Sequence, residues 1–283
     1  HRLAAGLARR AEELGVIVVL NTRVRRIVTR HGRVAGVEIS SDALGQPQSA
    51  SFFAAEAVVM NGETSALADG LLGDDVTRAG ASPRERSLSA VTWCVAGKPD
   101  GLAYHNVFFS DDSEAEFTAL KKRVPDDPTV YVCSQDRGLL ILINAPARDL
   151  ERDSNHATEP ERWRNATIRR LKACGIDLSL NNAVMTAPAD FGRLFPGSVG
   201  ALYGAASHGW KAFFDRPAAK TSTRGLYLAG GSVHPGAGLP MVAISGHLAA
   251  QAIIADFGST AISMPTGMPG GTSTPRATMA RMP

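Results

Sequence analysis

The sharpest change of hydrophobic pattern lies near the end of the chain. Residues 226–229 form a short, continuously apolar run closed by two glycines, which indicates a buried strand of the kind found in parallel sheets. Between Val242 and Ile253, apolar residues recur at spacings near three and four, and Pro240 suits a first helical turn. The pattern therefore predicts a strand that leads into a helix over residues 239–257.

The connection between these two elements is rich in glycine, with Gly230, Gly231, Gly236 and Gly238 in quick succession. Residues without Cβ let a backbone turn sharply and approach a ligand closely. A helix N-terminus directs its free N–H groups at that space, which favours a negatively polarised ligand. The spacing is not the Gly-x-Gly-x-x-Gly dinucleotide fingerprint and no Walker lysine follows. The residues alone therefore allow an anion or cofactor loop, or an ordinary tight connection.

Alternating and helical patterns predict a mixed α/β (α+β) fold for the rest of the chain. The first residues place Leu3, Leu7 and Leu14 on one helical face, and Gly15 has the position of a left-handed cap. The remaining predicted elements are strands at 16–20, 24–29, 34–39, 52–53, 57–60, 91–95 and 139–143, a hairpin turn at 30–33, and helices at 63–72 and 159–175.

Composition describes an ordinary globular chain and excludes some classes. Of 283 residues, 44% are hydrophobic and 20% charged, and the net charge of +3 is too small to favour a nucleic-acid partner. The three cysteines, at 94, 133 and 174, show no metal spacing, which favours reduced thiols in the cytoplasm. No apolar run reaches the roughly 18 residues of a membrane span, so we expect only peripheral membrane contact. Residues 258–283, rich in Gly, Ser, Thr, Pro and Met, are predicted to be disordered.

The segment 225–246 resembles the C-terminal signature of the bacterial-type phytoene desaturase family, flavoproteins that dehydrogenate carotenoids. His234, Pro235, Gly236, Ala237 and Gly238 match the family's His-Pro-Gly-x-Gly turn residue for residue. The wider form, from Gly230 to Gly238, looks most like the hydroxyneurosporene desaturase branch, which makes the 3,4 double bond in 1-hydroxy carotenoids. The resemblance covers residues 1–257 and implies FAD as cofactor, a carotenoid as substrate, and a cytoplasmic enzyme peripherally attached to the inner, photosynthetic membrane.

The resemblance also implies a set of cofactor contacts. They are Val24, Gly230, Gly231, Ser232, His234, Pro235, Gly236, Gly238, Pro240, Met241 and Val242. Within that set, Val24 would lend backbone groups to the adenine, and the N–H groups of Met241 and Val242 would stabilise negative charge on the reduced flavin. Members of the family open with a Gly-x-Gly-x-x-Gly element that holds the FAD diphosphate, and nothing here matches it. We therefore expect this chain to be the C-terminal portion of a longer desaturase.

In terms of domains, the resemblance implies an incomplete Rossmann-like FAD-binding domain at 1–83, which resumes at 207–257, and a mixed-sheet substrate domain at 84–206. A Thr-x-Pro-x-Asp element at 186–190 and a Gly-x-x-Tyr-Gly segment at 200–204 belong to the same family pattern. Asp190 is also expected to be a helix N-cap. His208 and Trp210 follow, in a stretch that approaches the flavin in relatives, and are substrate-site candidates.

Several chemical alternatives stay open at this point. His234 could assist proton movement or only brace its turn, His105 is expected to have a structural role, and no catalytic base can be named. The carboxylates at 111, 112, 114 and 116 are expected to be a solvated acidic loop, with no metal site. The competing functions are a flavin-dependent carotenoid or retinoid isomerase or saturase, an amine oxidase whose aromatic cage would need Tyr203, Trp210 or Tyr227, and an inactive lipid- or partner-binding fragment.

Overall fold

The computed structural model describes residues 2–41, 50–97, 101–135, 138–147, 159–206 and 215–261. The helices are α1 Arg2–Glu13, α2 Thr64–Ala68, α3 Ser113–Ala119, α4 Glu159–Ala173, α5 Pro188–Leu194 and α6 Leu239–Ala261, with a 3₁₀ helix at Asp74–Ala79. The strands are β1 Thr22–Arg30, β2 Arg33–Ser41, β3 Ala50–Ala54, β4 Val58–Met60, β5 Ser89–Ala96, β6 His105–Phe108, β7 Val130–Gln135, β8 Gly138–Ala145, β9 Val184–Thr186 and β10 Leu226–Leu228. This is a mixed α/β fold.

The largest sheet is antiparallel and has five strands in the order β6-β7-β8-β5-β9. Along β8, buried residues alternate with half-buried ones, so the sheet has one covered face and one open face. The covered face carries Trp93, Ile141 and Ile143, which are fully buried in a cluster with Trp163 and Leu171 of α4. The opposite face of this sheet is therefore available to border a cavity.

A second hydrophobic core joins the two ends of the chain. The strands β1, β2 and β3 form an antiparallel meander, whereas β4 pairs in parallel with β10. Ile27 and Val34 of the meander are buried in one cluster with Leu67, Leu226 and Leu228. The long-range parallel pair thus holds the start of the glycine-rich connection against the N-terminal part of the chain.

Most of the predicted elements are confirmed, and three predictions are wrong in detail. Residues 16–20 do not form a strand; their side chains are 46–82% exposed, and no strand in the described residues supplies the hydrogen-bonding partner that an extended apolar run needs. The helix predicted at 63–72 is shorter, Thr64–Ala68, because Gly70 and Gly73 have positive φ. Helix α6 continues to Ala261, so residues 258–261 are not disordered; 262–283 lie outside the described residues.

Helix α6 also corrects the expectation about apolar length. Over Leu239–Gly258 it is long and apolar enough to cross a membrane by length and composition alone, and 11% of that window is buried. Its C-terminal half is tied to β10, since the Tyr227 hydroxyl donates to Asp256 Oδ2 at 2.8 Å and Lys220 pairs with Asp256 Oδ1 at 2.5 Å. Burial and the Asp256 carboxylate raise the pKa of Tyr227 to about 12. Tyr227 is therefore a neutral donor that fixes α6 on its strand.

Ion pairs around three aspartates predict a loss of stability in acid. Hydrogen bonds from Arg170, Arg162 and Lys220 hold the pKa of Asp111, Asp126 and Asp256, respectively, below its ordinary value. A lowered carboxyl pKa contributes stability above the ordinary value, and that stability is lost as the pH falls through the lowered pKa. We expect the melting temperature to decrease when the pH is lowered below about 4. Asp126→Asn should show a smaller acid-induced fall than the parent chain; an equal fall would contradict this origin.

Candidate functional site

The glycine loop, residues 230–238, leaves the parallel strand pair and turns into α6. Gly230 has φ 116°, and a Cβ there would lie 2.5 Å from Asn61 Oδ1 at the end of β4. Its N–H donates to Ser245 Oγ at 3.1 Å, one turn and more into α6. The strand, the loop and the helix are thus joined by contacts that require a residue without a side chain at position 230.

The loop is packed at its middle and open at its end. Gly236 is buried, and a Cβ there would lie 3.1 Å from Arg216 Nε, so this glycine accommodates an arginine rather than a ligand. In contrast, a Cβ at Gly238 would meet nothing within 4 Å, and Met241 is 38% exposed. The open space beside the loop therefore lies at Gly238 and the first turn of α6. The cofactor contacts predicted at Gly236 and Gly238 stay predictions.

The two backbone donors predicted at the start of α6, the N–H groups of Met241 and Val242, differ in whether they are already hydrogen-bonded. The Val242 N–H donates to Gly238 O at 2.9 Å, so it is used inside the turn. Among the described residues, no acceptor is bonded to the Met241 N–H. The helix N-terminus therefore offers the Met241 N–H, together with the positive end of its dipole, to a group next to Gly238.

Arg216 joins the glycine loop to the segment 200–206. One Nη donates to Gly231 O at 2.6 Å, and the other donates to Tyr203 O and Ala205 O at 3.1 Å each. The residue is only 7% exposed, and burial lowers its pKa while Glu63 counteracts that shift. A single guanidinium thus satisfies three carbonyls on two segments and fixes their separation.

Two further contacts reinforce this junction. Ser232 Oγ donates to Glu63 Oε1 at 2.6 Å, and a Cβ at Gly204 would lie 2.7 Å from that serine hydroxyl. On the other side, Arg86 donates to Gly197 O at 3.0 Å, and Ser87 N donates to Gly204 O at 2.9 Å. Segment 200–206 is therefore bonded both to the loop and to the chain entering β5.

A cavity of about 1240 Å³ lies between the glycine loop and the five-stranded sheet. Its sheet wall includes Ala90, Leu142 and Asn144, and α3 contributes Phe117 and Leu120. Leu202, Tyr203, Ala206, Ala237 and Gly238 border it on the side of the glycine loop, and residues 83–89 and Lys121 add polar and charged groups to the wall. The open end of the loop thus borders a cavity that is large enough for part of an elongated ligand and has apolar side chains on its sheet and α3 walls.

The other predicted cofactor residues occupy varied positions. Val24 lies in β1, is 41% exposed and pairs with Ile39. The His234 N–H donates to Pro217 O at 2.9 Å, which agrees with a bracing role, and Pro235 is buried. Gly231 and Ser232 lie in the glycine loop, and Pro240 lies in the first turn of α6. Their contact with a flavin stays a prediction. His208 and Trp210 lie outside the described residues.

Two polar predictions need correction. Glu116 is not solvated; it is 4% exposed and accepts bonds from Ser110 and Thr129, because it fixes the turn before β7. Asp190 is the third residue of α5 rather than its N-cap, and its Oδ2 accepts the Ala187 N–H at 2.8 Å. Both carboxylates stabilise local structure through backbone N–H groups.

Sequence reasoning missed Arg216, Arg86 and Asn144. Each arginine is important because of carbonyls that are distant along the chain, and Asn144 looks like an ordinary strand residue at the end of an apolar run. The one usable signal was the Arg-Pro pair at 216–217, because this charged residue precedes the buried strand that was predicted at 226–229.

Comparison with known families decides the class of this site. The family model for flavin-containing amine oxidoreductases matches residues 1–254. The chain belongs to the flavin-containing amine oxidoreductase family. This membership agrees with the open end of the glycine loop, where Gly238 and the Met241 N–H leave room for a flavin.

Two curated relatives are hydroxyneurosporene desaturases. That of Rubrivivax gelatinosus is 41% identical over 100% of this chain and 56% of its own length, and that of Rhodobacter capsulatus is 42% identical over 90% of this chain and 53% of its own length. The chain therefore spans about half the length of these relatives. A crystal structure of an oxidoreductase from Methanosarcina mazei matches 83% of this chain and 49% of its own, with 14% identity and a TM-score of 0.44, which is too distant to support further argument.

Proposed function

We propose that this chain forms part of an FAD-dependent carotenoid desaturase that introduces a C-3,4 double bond into 1-hydroxy carotenoids. The observation that carries the proposal is the 41% identity with a hydroxyneurosporene desaturase along the whole chain. The cavity supports it, since apolar side chains such as Leu142, Leu202 and Phe117 line a volume that reaches the glycine loop, which suits a polyene beside a flavin. In this proposal β4, β10 and α6 belong to a Rossmann-like FAD-binding domain, and the five-stranded sheet belongs to the substrate domain.

The residues of this chain would align the reactants. Gly238 and the Met241 N–H would border the cofactor, and the helix dipole would favour negative charge there. Leu142, Leu202 and Phe117 would hold the hydrocarbon and exclude water from it. When bound, the flavin supplies an acceptor for the hydride equivalent that no side chain can accept.

Of the alternatives, amine oxidation loses one of the three candidate residues for its aromatic cage. Tyr227 is 1% exposed and donates to Asp256, so it cannot face a flavin as a cage residue. Because a carotenoid is insoluble in water, we propose peripheral association of the complete enzyme with the cytoplasmic side of the inner membrane, where the substrate dissolves.

A chimera tests the activity. This chain is joined behind the part of the Rubrivivax gelatinosus desaturase that it does not cover, and the fusion is produced in cells that accumulate 1-hydroxyneurosporene. We expect a product with one additional conjugated double bond, seen as a shift of the carotenoid absorbance to longer wavelength. The uncovered part of the relative, produced alone, is the control. A stable, FAD-bound chimera that leaves the carotenoid unchanged would reject the proposal.

A further inference from the structure

One polar side chain stands on the open face of the sheet beside the cavity. Along β8, Ile141, Ile143 and Ala145 are packed in the core with α4, so Leu142 and Asn144 point to the other face. Asn144 lies directly opposite Ala90, and Ala90, Leu142 and Asn144 all border the cavity. The carboxamide therefore interrupts a wall that is otherwise aliphatic at this point.

The Asn144 side chain is half-buried but makes no hydrogen bond to any residue within the described ranges. A carboxamide has two N–H donors and an accepting oxygen, which matches a ligand hydroxyl as both donor and acceptor. A polar group that is removed from water without a partner loses free energy. Binding an apolar ligand in the cavity would impose this loss on Asn144 unless the ligand itself supplied a polar group.

Two polar side chains of the cavity wall near Asn144, Ser87 and Arg86, are already in use. Ser87 Oγ donates to Leu88 O and accepts the Tyr203 N–H. The Arg86 guanidinium donates to backbone carbonyls at 197 and 198. Ser89 Oγ is fully enclosed and has no partner, but ligand atoms in a cavity open to solvent cannot reach an enclosed oxygen. Asn144 is a half-buried amide on the sheet wall with both its donors and its acceptor available to a ligand.

The position of Asn144 also fits the chemistry of the proposed substrate. The same cavity is bordered by Asn144 and by Ala237 and Gly238 of the glycine loop. In a 1-hydroxy carotenoid the hydroxyl is attached to C1, only two carbon–carbon bonds from C3, where the new double bond begins. A group that recognises this hydroxyl must therefore lie in the same cavity as the cofactor loop.

We propose that Asn144 binds the C1 hydroxyl of the substrate and thereby selects hydroxylated carotenoids over their hydrocarbon parents. The inference rests on the proposed function, because it assigns a role to one residue of that same site. Asn144 acts in recognition and in placing C3 and C4, and not in proton or hydride removal.

The test compares the binding of 1-hydroxyneurosporene and of neurosporene to this 283-residue chain in detergent, by quenching of tryptophan fluorescence. One hydrogen bond to a buried group predicts about a tenfold preference for the hydroxylated carotenoid. Asn144→Leu, which keeps the branched shape and the number of heavy atoms, should bring the ratio of the two dissociation constants close to one by weakening only the hydroxylated ligand. Asn144→Ser should keep part of the preference, because a hydroxyl can still donate and accept.

Cys94→Ala is the control, since Cys94 is exposed on the same sheet face and does not border the cavity. All variants are first shown to melt as the parent chain does. An unchanged ratio in Asn144→Leu would overturn the inference, as would binding of neither carotenoid. Preferential binding by this chain, together with an inactive chimera, would support the role of Asn144 and reject the proposed reaction.

Discussion

Arg216→Met is expected to destabilise the chain by about 3 kcal/mol or more and to abolish tight cofactor binding by the chimera. Methionine fills much of the same volume, but it leaves the carbonyls of Gly231, Tyr203 and Ala205 without their donor. These carbonyls belong to the glycine loop and to the cavity wall, so their separation should change. Urea unfolding of the chain, followed by circular dichroism, measures the loss.

Two variants control this experiment. Arg216→Lys keeps the charge but cannot span three carbonyls with a planar fork, so it should recover only a minor part of the stability. Arg193→Met removes an exposed arginine that pairs with Asp190, and it should change stability by less than about 1 kcal/mol. A loss for Arg216→Met no larger than that for Arg193→Met would contradict the role assigned to Arg216.

Gly204→Ala should lower stability by about 2 to 4 kcal/mol, because it combines a left-handed conformation with a steric clash. Gly204 has φ 67°, and the new Cβ would lie 2.7 Å from Ser232 Oγ and 3.2 Å from Ser232 Cα. Relief of this clash requires the 200–206 segment to move away from the glycine loop. The Ser232 bond to Glu63 should therefore weaken as well.

Gly97→Ala is the matched control for this prediction. Gly97 has φ 88°, similar to Gly204, but a Cβ there would meet nothing within 4 Å. Gly97→Ala should lower the free energy of unfolding by about 1 kcal/mol, because alanine disfavours the left-handed backbone conformation. The difference between the two melting temperatures then reports the contact with Ser232, and equal losses would show that the two segments are not tightly packed.

The sequence predicted those parts of the fold that depend on neighbouring residues. The change from an apolar run to a helical period marked β10, the glycine loop and α6, since each of these signals is local. The hairpin between β1 and β2 was similarly clear, and His31 and Gly32 both have the positive φ that such a turn requires.

The parts that were wrong or missed depend on distant contacts. Residues 16–20 have the composition of a buried strand, but a strand is defined by a partner, which the pattern cannot supply. The packing of Arg216 against Gly236, twenty residues later in the chain, could not be predicted from the local pattern. Asn144 became a candidate only when the register of β8 with β5 placed it beside the cavity.

The central claim is that the cavity beside the glycine loop brings a hydroxylated polyene to a flavin that accepts its electrons. A single turnover by the purified, FAD-loaded chimera with 1-hydroxyneurosporene, in the absence of oxygen and of any other acceptor, tests this most directly. The account predicts one 3,4-desaturated product for each bound FAD. No product, or the same amount of product from chimera stripped of FAD, would contradict it.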